Sequence, residues 1–147
     1  MKRYKNYSFW DFMMVLDKSM PLDKDALEVA FDDRFSKTKV RGLYYECKSR
    51  PIETVDGVII DDITFVFSQK NDLKKGGFFY FDLDGKCIDL NALKENVHNI
   101  ELHSGPSGHS ANDKVVWKSA RKWGELFFSF NATNPDCLAS VAFKLPK

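Results

Sequence analysis

Apolar side chains at Phe9, Phe12, Met13, Leu16 and Met20 recur at i, i+3, i+4, i+7 and i+11, the period of one helix face. Ser8 precedes the run and Asp11 follows three residues later, a pattern that caps a helix start, and Pro21 closes it. A second helix opens at Asp23 or Asp25. Its inward stripe is Leu27, Ala30, Phe31 and Phe35, and Asp25, Glu28, Asp32 and Asp33 occupy the other face. Acidic residues early in a helix also suit its dipole.

After Gly42 the period changes. Leu43–Lys48 is a strand ended by Arg50-Pro51, and Val58–Ser68 (VIIDDITFVFS), rich in β-branched and aromatic residues, is a principal strand. Asn71–Gly77 is a turn. Phe78-Phe79-Tyr80-Phe81 then places aromatics on both sides of one strand, which predicts a central position with both faces covered. Asp84-Gly85 reads as a turn between Phe78–Asp82 and a short strand Lys86–Ile88. Asp89 caps a short helix with Leu90, Leu93 and Val97 inward. Ile100 and Leu102 begin another strand, and a polar loop from Ser104 to Asp113 separates it from Lys114–Trp117. Gly124–Asn131 and Cys137–Leu145 form a hairpin across Ala132–Asp136.

Helices first, then strands with one helical interruption, predict an α+β fold: N-terminal helices packed on a largely antiparallel sheet of about six or seven strands. The chain of 147 residues reads as a single domain, 1–147. Thirteen phenylalanines supply a large apolar payload for its core.

Charge adds little direction. The 22 basic and 21 acidic residues leave a net charge of +1, without the excess of cations that phosphate contacts demand, so nucleic acid is not an expected partner. Neither is a membrane, since no apolar run approaches spanning length. Asp11 interrupts the apolar run after Met1–Lys5 and no small-residue cleavage site follows, so a cytoplasmic location is expected. Cys47, Cys87 and Cys137 contain no C-x-x-C pair, and the simplest reading is three reduced, buried thiols.

Few residues fall in a pattern that carries chemistry. Asp82-Leu83-Asp84-Gly85 matches the centre of a calcium loop, yet the first and last ligand positions would be Tyr80 and Asn91. Gly105-Pro106-Ser107-Gly108-His109 is neither a nucleophile elbow nor a phosphate loop. Asp61 and Asp62 lie mid-strand and should point to opposite faces, one of them half-buried, as a functional acid or an edge device. No catalytic residue, metal or cofactor is assigned. Two uses remain open beside a binding role. His98, His103 and His109 fall close together, so a small hydrolase or metal-dependent enzyme would use the His98–His109 region. Trp117, Lys118, Arg121 and Trp123 interleave rings and cations, as a single-stranded nucleic-acid module would.

A compact domain without a catalytic signature suits protein binding. The acidic residues Asp25, Glu28, Asp32 and Asp33 offer complementarity to a basic partner, and Trp117 and Trp123 are candidate anchors. In the segments Phe78–Gly85 (FFYFDLDG) and Gly124–Asn131 (GELFFSFN) with its following hairpin, the chain resembles bacterial toxin-immunity proteins of the contact-dependent growth inhibition type. That resemblance implies a cytoplasmic inhibitor, not an enzyme, that binds a cognate toxin domain and occludes its active site.

Overall fold

The computed structural model describes residues 3–4, 6–21, 24–42, 44–68, 77–105 and 113–145. In chain order they form β1 (Arg3–Tyr4), α1 (Phe9–Ser19), α2 (Lys24–Phe31), β2 (Ser36–Arg41), β3 (Tyr44–Lys48), β4 (Ile52–Glu53) and β5 (Val58–Ser68). β6 (Phe78–Gly85), α3 (Leu90–Asn96), β7 (Ile100–Ser104), β8 (Lys114–Arg121), β9 (Gly124–Asn131) and β10 (Asn134–Lys144) follow.

All ten strands belong to one sheet, in the order β1-β4-β5-β6-β10-β9-β8-β7, with β3 also on β5 and β2 outside β3. Nine are joined by antiparallel pairs, and only β1 joins in parallel, on β4. β5 is long enough for one edge to hold two partners, β4 against Ile59–Ile60 and β3 against Thr64–Ser68. The α+β class is as expected, and α3 is the helical interruption expected after Asp89, so not all helices are N-terminal; the sheet is larger than predicted.

α1 forms where its pattern places it. The Ser8 hydroxyl accepts from the Asp11 amide at 3.2 Å, and the Asp56 carboxylate accepts from the Phe9 amide at 3.1 Å, so two otherwise unpaired helix-end donors are satisfied. α2 is shorter than its stripe suggested. It ends at Phe31, Asp32 takes a positive φ of 53°, and Phe35 reaches the core from the following turn, not from the helix. The Asp89 cap of α3 is present, accepting from the Ala92 amide at 2.8 Å.

The core lies between the helices and one face of the sheet. Cross-strand partners share a face, so Cys47, Phe65, Phe79, Phe143, Leu126, Ser119 and Ile100 form one row on it. Phe31 of α2 sets its ring edge-on to Phe12 of α1 and to Phe65 and Phe79 of the sheet. Edge-to-face contacts of this kind add to the burial of each ring. α3 buries Leu93 and places Lys94 over the Trp117 ring. All three helices therefore sit on the same side.

Three expectations are corrected. Lys86–Ile88 is not a strand: β6 runs on through Asp84 to Gly85, and the chain then leaves the sheet toward α3. β6 is central, between β5 and β10, but only one of its faces is covered among the described residues: Phe79 and Phe81 are fully buried, whereas Phe78 is 37% exposed. The three cysteines are not all reduced thiols. Cys87 and Cys137 form a disulfide, with Cα atoms 5.0 Å apart, and only Cys47 is a buried free thiol. Fifty residues separate the bridged pair, which the fold brings together because β10 lies beside β6.

Among the described residues, no helix is long and apolar enough to cross a membrane. The turn at Asn71–Gly77 and the loop after Ser104 lie largely outside the described residues, as does His109.

Candidate functional site

No described element packs on the face of the sheet turned away from the helices. One cross-strand row on it runs Lys48, Thr64, Tyr80, Ala142, Phe127, Lys118, Glu101, and the next runs Asp61, Asp82, Ser140, Ser129, Val116. Aromatic and aliphatic groups are half-exposed there rather than buried, and Phe78 stacks beside Tyr80 with centroids 6.1 Å apart.

Two of its cations, Lys48 and Lys118, are engaged within the face. Lys48 donates to Asp62 at 2.8 Å and to the Thr64 hydroxyl at 2.6 Å, and Lys118 lies 3.6 Å from Glu101 and 3.4 Å from Glu125. Burial would lower the Lys48 pKa, but the bond to Asp62 and its charge outweigh that and raise it.

The carboxylates are less evenly matched. Asp61 stands directly opposite Asp82 across β5 and β6. The register shifts between Asp61 and Thr64, and Asp62 takes a positive φ of 48°, which marks a bulge. The bulge overturns the expectation that Asp61 and Asp62 point to opposite faces with one half-buried. Both are exposed, and both raise the pKa of Asp82. Partial burial is the largest cause of that rise and the Asp62 charge follows, with Lys114 and Lys48 pulling the other way. The perturbed acid is thus Asp82, on which the sequence placed no emphasis. Alternation in FFYFDLDG was the available signal, since it sets Phe79, Phe81 and Leu83 on one side and Tyr80, Asp82 and Asp84 on the other.

Asp25, Glu28, Asp32 and Asp33 do come together, lining one shallow depression with Arg34, Arg50 and Val29, the last 79% exposed. Two of the four also hold the fold. Glu28 accepts from the Phe35 amide at 2.7 Å and fixes the turn after α2. Asp33, whose side chain is only 7% exposed, accepts from the Arg50 amide at 2.9 Å, from its guanidinium at 3.1 and 3.2 Å, and from the Ser49 hydroxyl at 3.1 Å.

The tryptophans lie elsewhere. Trp123 is a core residue: it is 9% exposed, stacks on Phe143 at 5.5 Å, and donates its indole N–H to Asp17 at 2.8 Å. Trp117 is half-buried on the helix side under Lys94, while its neighbour Lys118 faces the bare side with Glu101 and Glu125. Arg121 pairs with Asp17 of α1. The rings and cations of this segment thus do not line up along one face.

A cleft of about 220 Å³ opens beside that pair, between α1 and the end of α3, lined by Trp10, Met13, Met14, Val97 and His98 among others. His98 and His103 do not meet there. The His103 ring instead stands edge-on to Phe127 at 5.3 Å on the bare face, and the described residues contain no group of three metal-binding side chains. No family model, curated protein or solved structure matches the chain.

Proposed function

We propose that this protein is a binding protein of the immunity type, which neutralises a cognate bacterial toxin by covering its active site and performs no chemistry of its own. The observation that carries this reading is the bare sheet face. It spans strands from β3 to β7 and mixes half-exposed rings with hydroxyls and charges, as the surfaces that proteins present to one another do. The depression around Val29, lined by four carboxylates and two arginines, is a second surface available to the same partner. Electrostatic complementarity there would speed and orient the encounter more than strengthen it.

Action in the cytoplasm is part of the reading drawn from the resemblance. The Cys87–Cys137 bond bears against it, because disulfides persist mainly in oxidising compartments. Trapping the thiols of the protein by alkylation in intact host cells distinguishes the two locations.

The inhibitor reading is tested by affinity capture from the native host followed by a growth assay. A stoichiometric partner that survives moderate salt, arrests growth when expressed alone and becomes harmless with this chain supports it. Absence of such a partner, or one without toxicity, overturns it.

A further inference from the structure

We propose that the bare sheet face is the docking surface for the partner and that its occupant is a segment of protein presenting arginine or lysine between apolar side chains. The cation would sit over Asp61, Asp62 and Asp82, with its apolar neighbours on Phe78, Tyr80 and Phe127. This rests on the binding role proposed above and adds the chemistry of the partner.

Three observations converge on that occupant. First, Asp61 and Asp82 face each other in register, an arrangement that destabilises a sheet. A local rule broken in this way is where function is expected. Second, the nearby cations match that pair only in part. Lys114 and Lys48 act on Asp82 through their charge alone, Lys48 being bonded to Asp62 and Thr64; Lys118 lies between Glu101 and Glu125, and among the described residues no cation bonds to Asp82. The one hydrogen bond described for the Asp61 carboxylate is local, accepted from the Asp62 amide at 2.8 Å. An incoming cation would relieve the repulsion, so its binding is favoured by a defect already present in the free protein. Third, a ring borders the carboxylates. Tyr80 lies one cross-strand row away on β6, with Phe78 stacked beyond it and Phe127 on the same row two strands over, past Ala142. A guanidinium can bridge two carboxylates through its planar fork while stacking on a ring, so arginine fits this border better than lysine.

The probe is a blocked hexapeptide, acetyl-Gly-Leu-Arg-Leu-Arg-Gly-amide, titrated into the full-length ¹⁵N-labelled chain at low ionic strength, with the glutamate analogue as control. The arginine peptide should shift the amides of Asp61, Tyr80, Asp82 and Ser140. The glutamate peptide should not, and Asp61→Asn/Asp82→Asn should weaken binding at least tenfold while leaving the spectrum otherwise folded. Shifts confined to the α2 depression, equal response to both peptides, or unchanged affinity in the double variant would each overturn the proposal. So would a concentration-dependent dimer that the double variant abolishes, because the occupant would then be a second copy of this chain. The two readings fail separately. A captured toxin that binds the double variant as tightly as the parent refutes the docking face and leaves the inhibitor standing. If no toxin is captured, the inhibitor reading falls and the peptide titration still decides the face.

Discussion

Asp61 and Asp82 are direct cross-strand partners in β5 and β6, two carboxylates where a sheet gains from opposite charges. The raised pKa of Asp82 gives this contact a pH signature. The folded state holds that proton more tightly than the unfolded chain does. Its contribution is therefore favourable below the ordinary carboxylate range, about pH 4, and is lost as pH rises through the folded pKa. At neutral pH the ionised group is a cost. Asp82→Asn should accordingly raise stability at pH 7 by roughly 0.5 kcal/mol, one or two degrees in Tm. At about pH 3 Asp82 is largely protonated and most of the gain should disappear. Thermal melts at the two pH values check this, and a loss of stability at pH 7 would show that Asp82 supports the fold.

The disulfide makes a second prediction. Closing a loop across 50 residues restricts the unfolded chain by about 4 kcal/mol in the chain-entropy account. Cys87→Ser/Cys137→Ser should lower Tm by about 8–15 °C, and reductant should do the same to the parent and nothing to the variant. Thiol titration in denaturant should find one reactive group per chain before reduction, Cys47, and three afterwards. Three without reductant would mean that the bridge does not form in solution.

Gly85 is a third position where backbone decides. Its φ is +75°, and a Cβ placed there would run into the Gly57 carbonyl oxygen, which already accepts from the Lys86 amide at 2.9 Å. Gly57 itself has φ +88° but open space, its nearest neighbour being the Lys86 Cβ at 3.9 Å. Gly57→Ala should therefore cost only the left-handed strain, about 1–2 kcal/mol, and Gly85→Ala about 1 kcal/mol or more beyond that. Equal losses in denaturant melts would mean that the loop simply moves aside.

Much of this fold was readable in advance wherever one period persisted. The α1 stripe and the β-branched run Val58–Ser68 came out with their ends nearly in place because burial enforces a period over many residues. What escaped was set by tertiary contact. β2 (SKTKVR) has no alternating apolar face and exists because β3 offers a hydrogen-bonding edge. β1 and β4, two residues each, are too short to show a pattern. The bulge at Asp61–Thr64 could not be read from VIIDDITFVFS, because an extra residue shows only when the partner strand is known. The same holds for the pairing of Cys87 with Cys137, which depends on β10 lying next to β6. The acidic stripe of α2 was legible as a surface, but not that Glu28 and Asp33 spend their oxygens on the turn that follows.

The link between α1 and the β8–β9 turn gives the last prediction. Asp17 accepts from the Arg121 guanidinium, at 3.0 Å for Nε, and from the Trp123 indole at 2.8 Å, while Arg121 also donates to the Ser119 hydroxyl at 3.3 Å. Both charged side chains are about three-quarters buried, at 22% and 26% exposure, so the pair is shielded from water more than a surface bridge and less than a core one. Asp17→Asn keeps an oxygen for the indole but removes the charge that Arg121 faces, leaving a largely buried cation with a weak acceptor. The expected loss is about 1.5–3 kcal/mol. Arg121→Gln leaves the carboxylate with the indole alone and should cost a similar amount. In the double variant neither charge is stranded, so the combined loss should fall short of the sum by about 1 kcal/mol or more. Trp123 fluorescence and near-UV circular dichroism should change in Asp17→Asn and stay close to the parent in Arg121→Gln, because only the first alters the acceptor of the indole. Strictly additive losses would mean that α1 is held by its apolar face alone, through Phe9, Phe12, Met13 and Leu16.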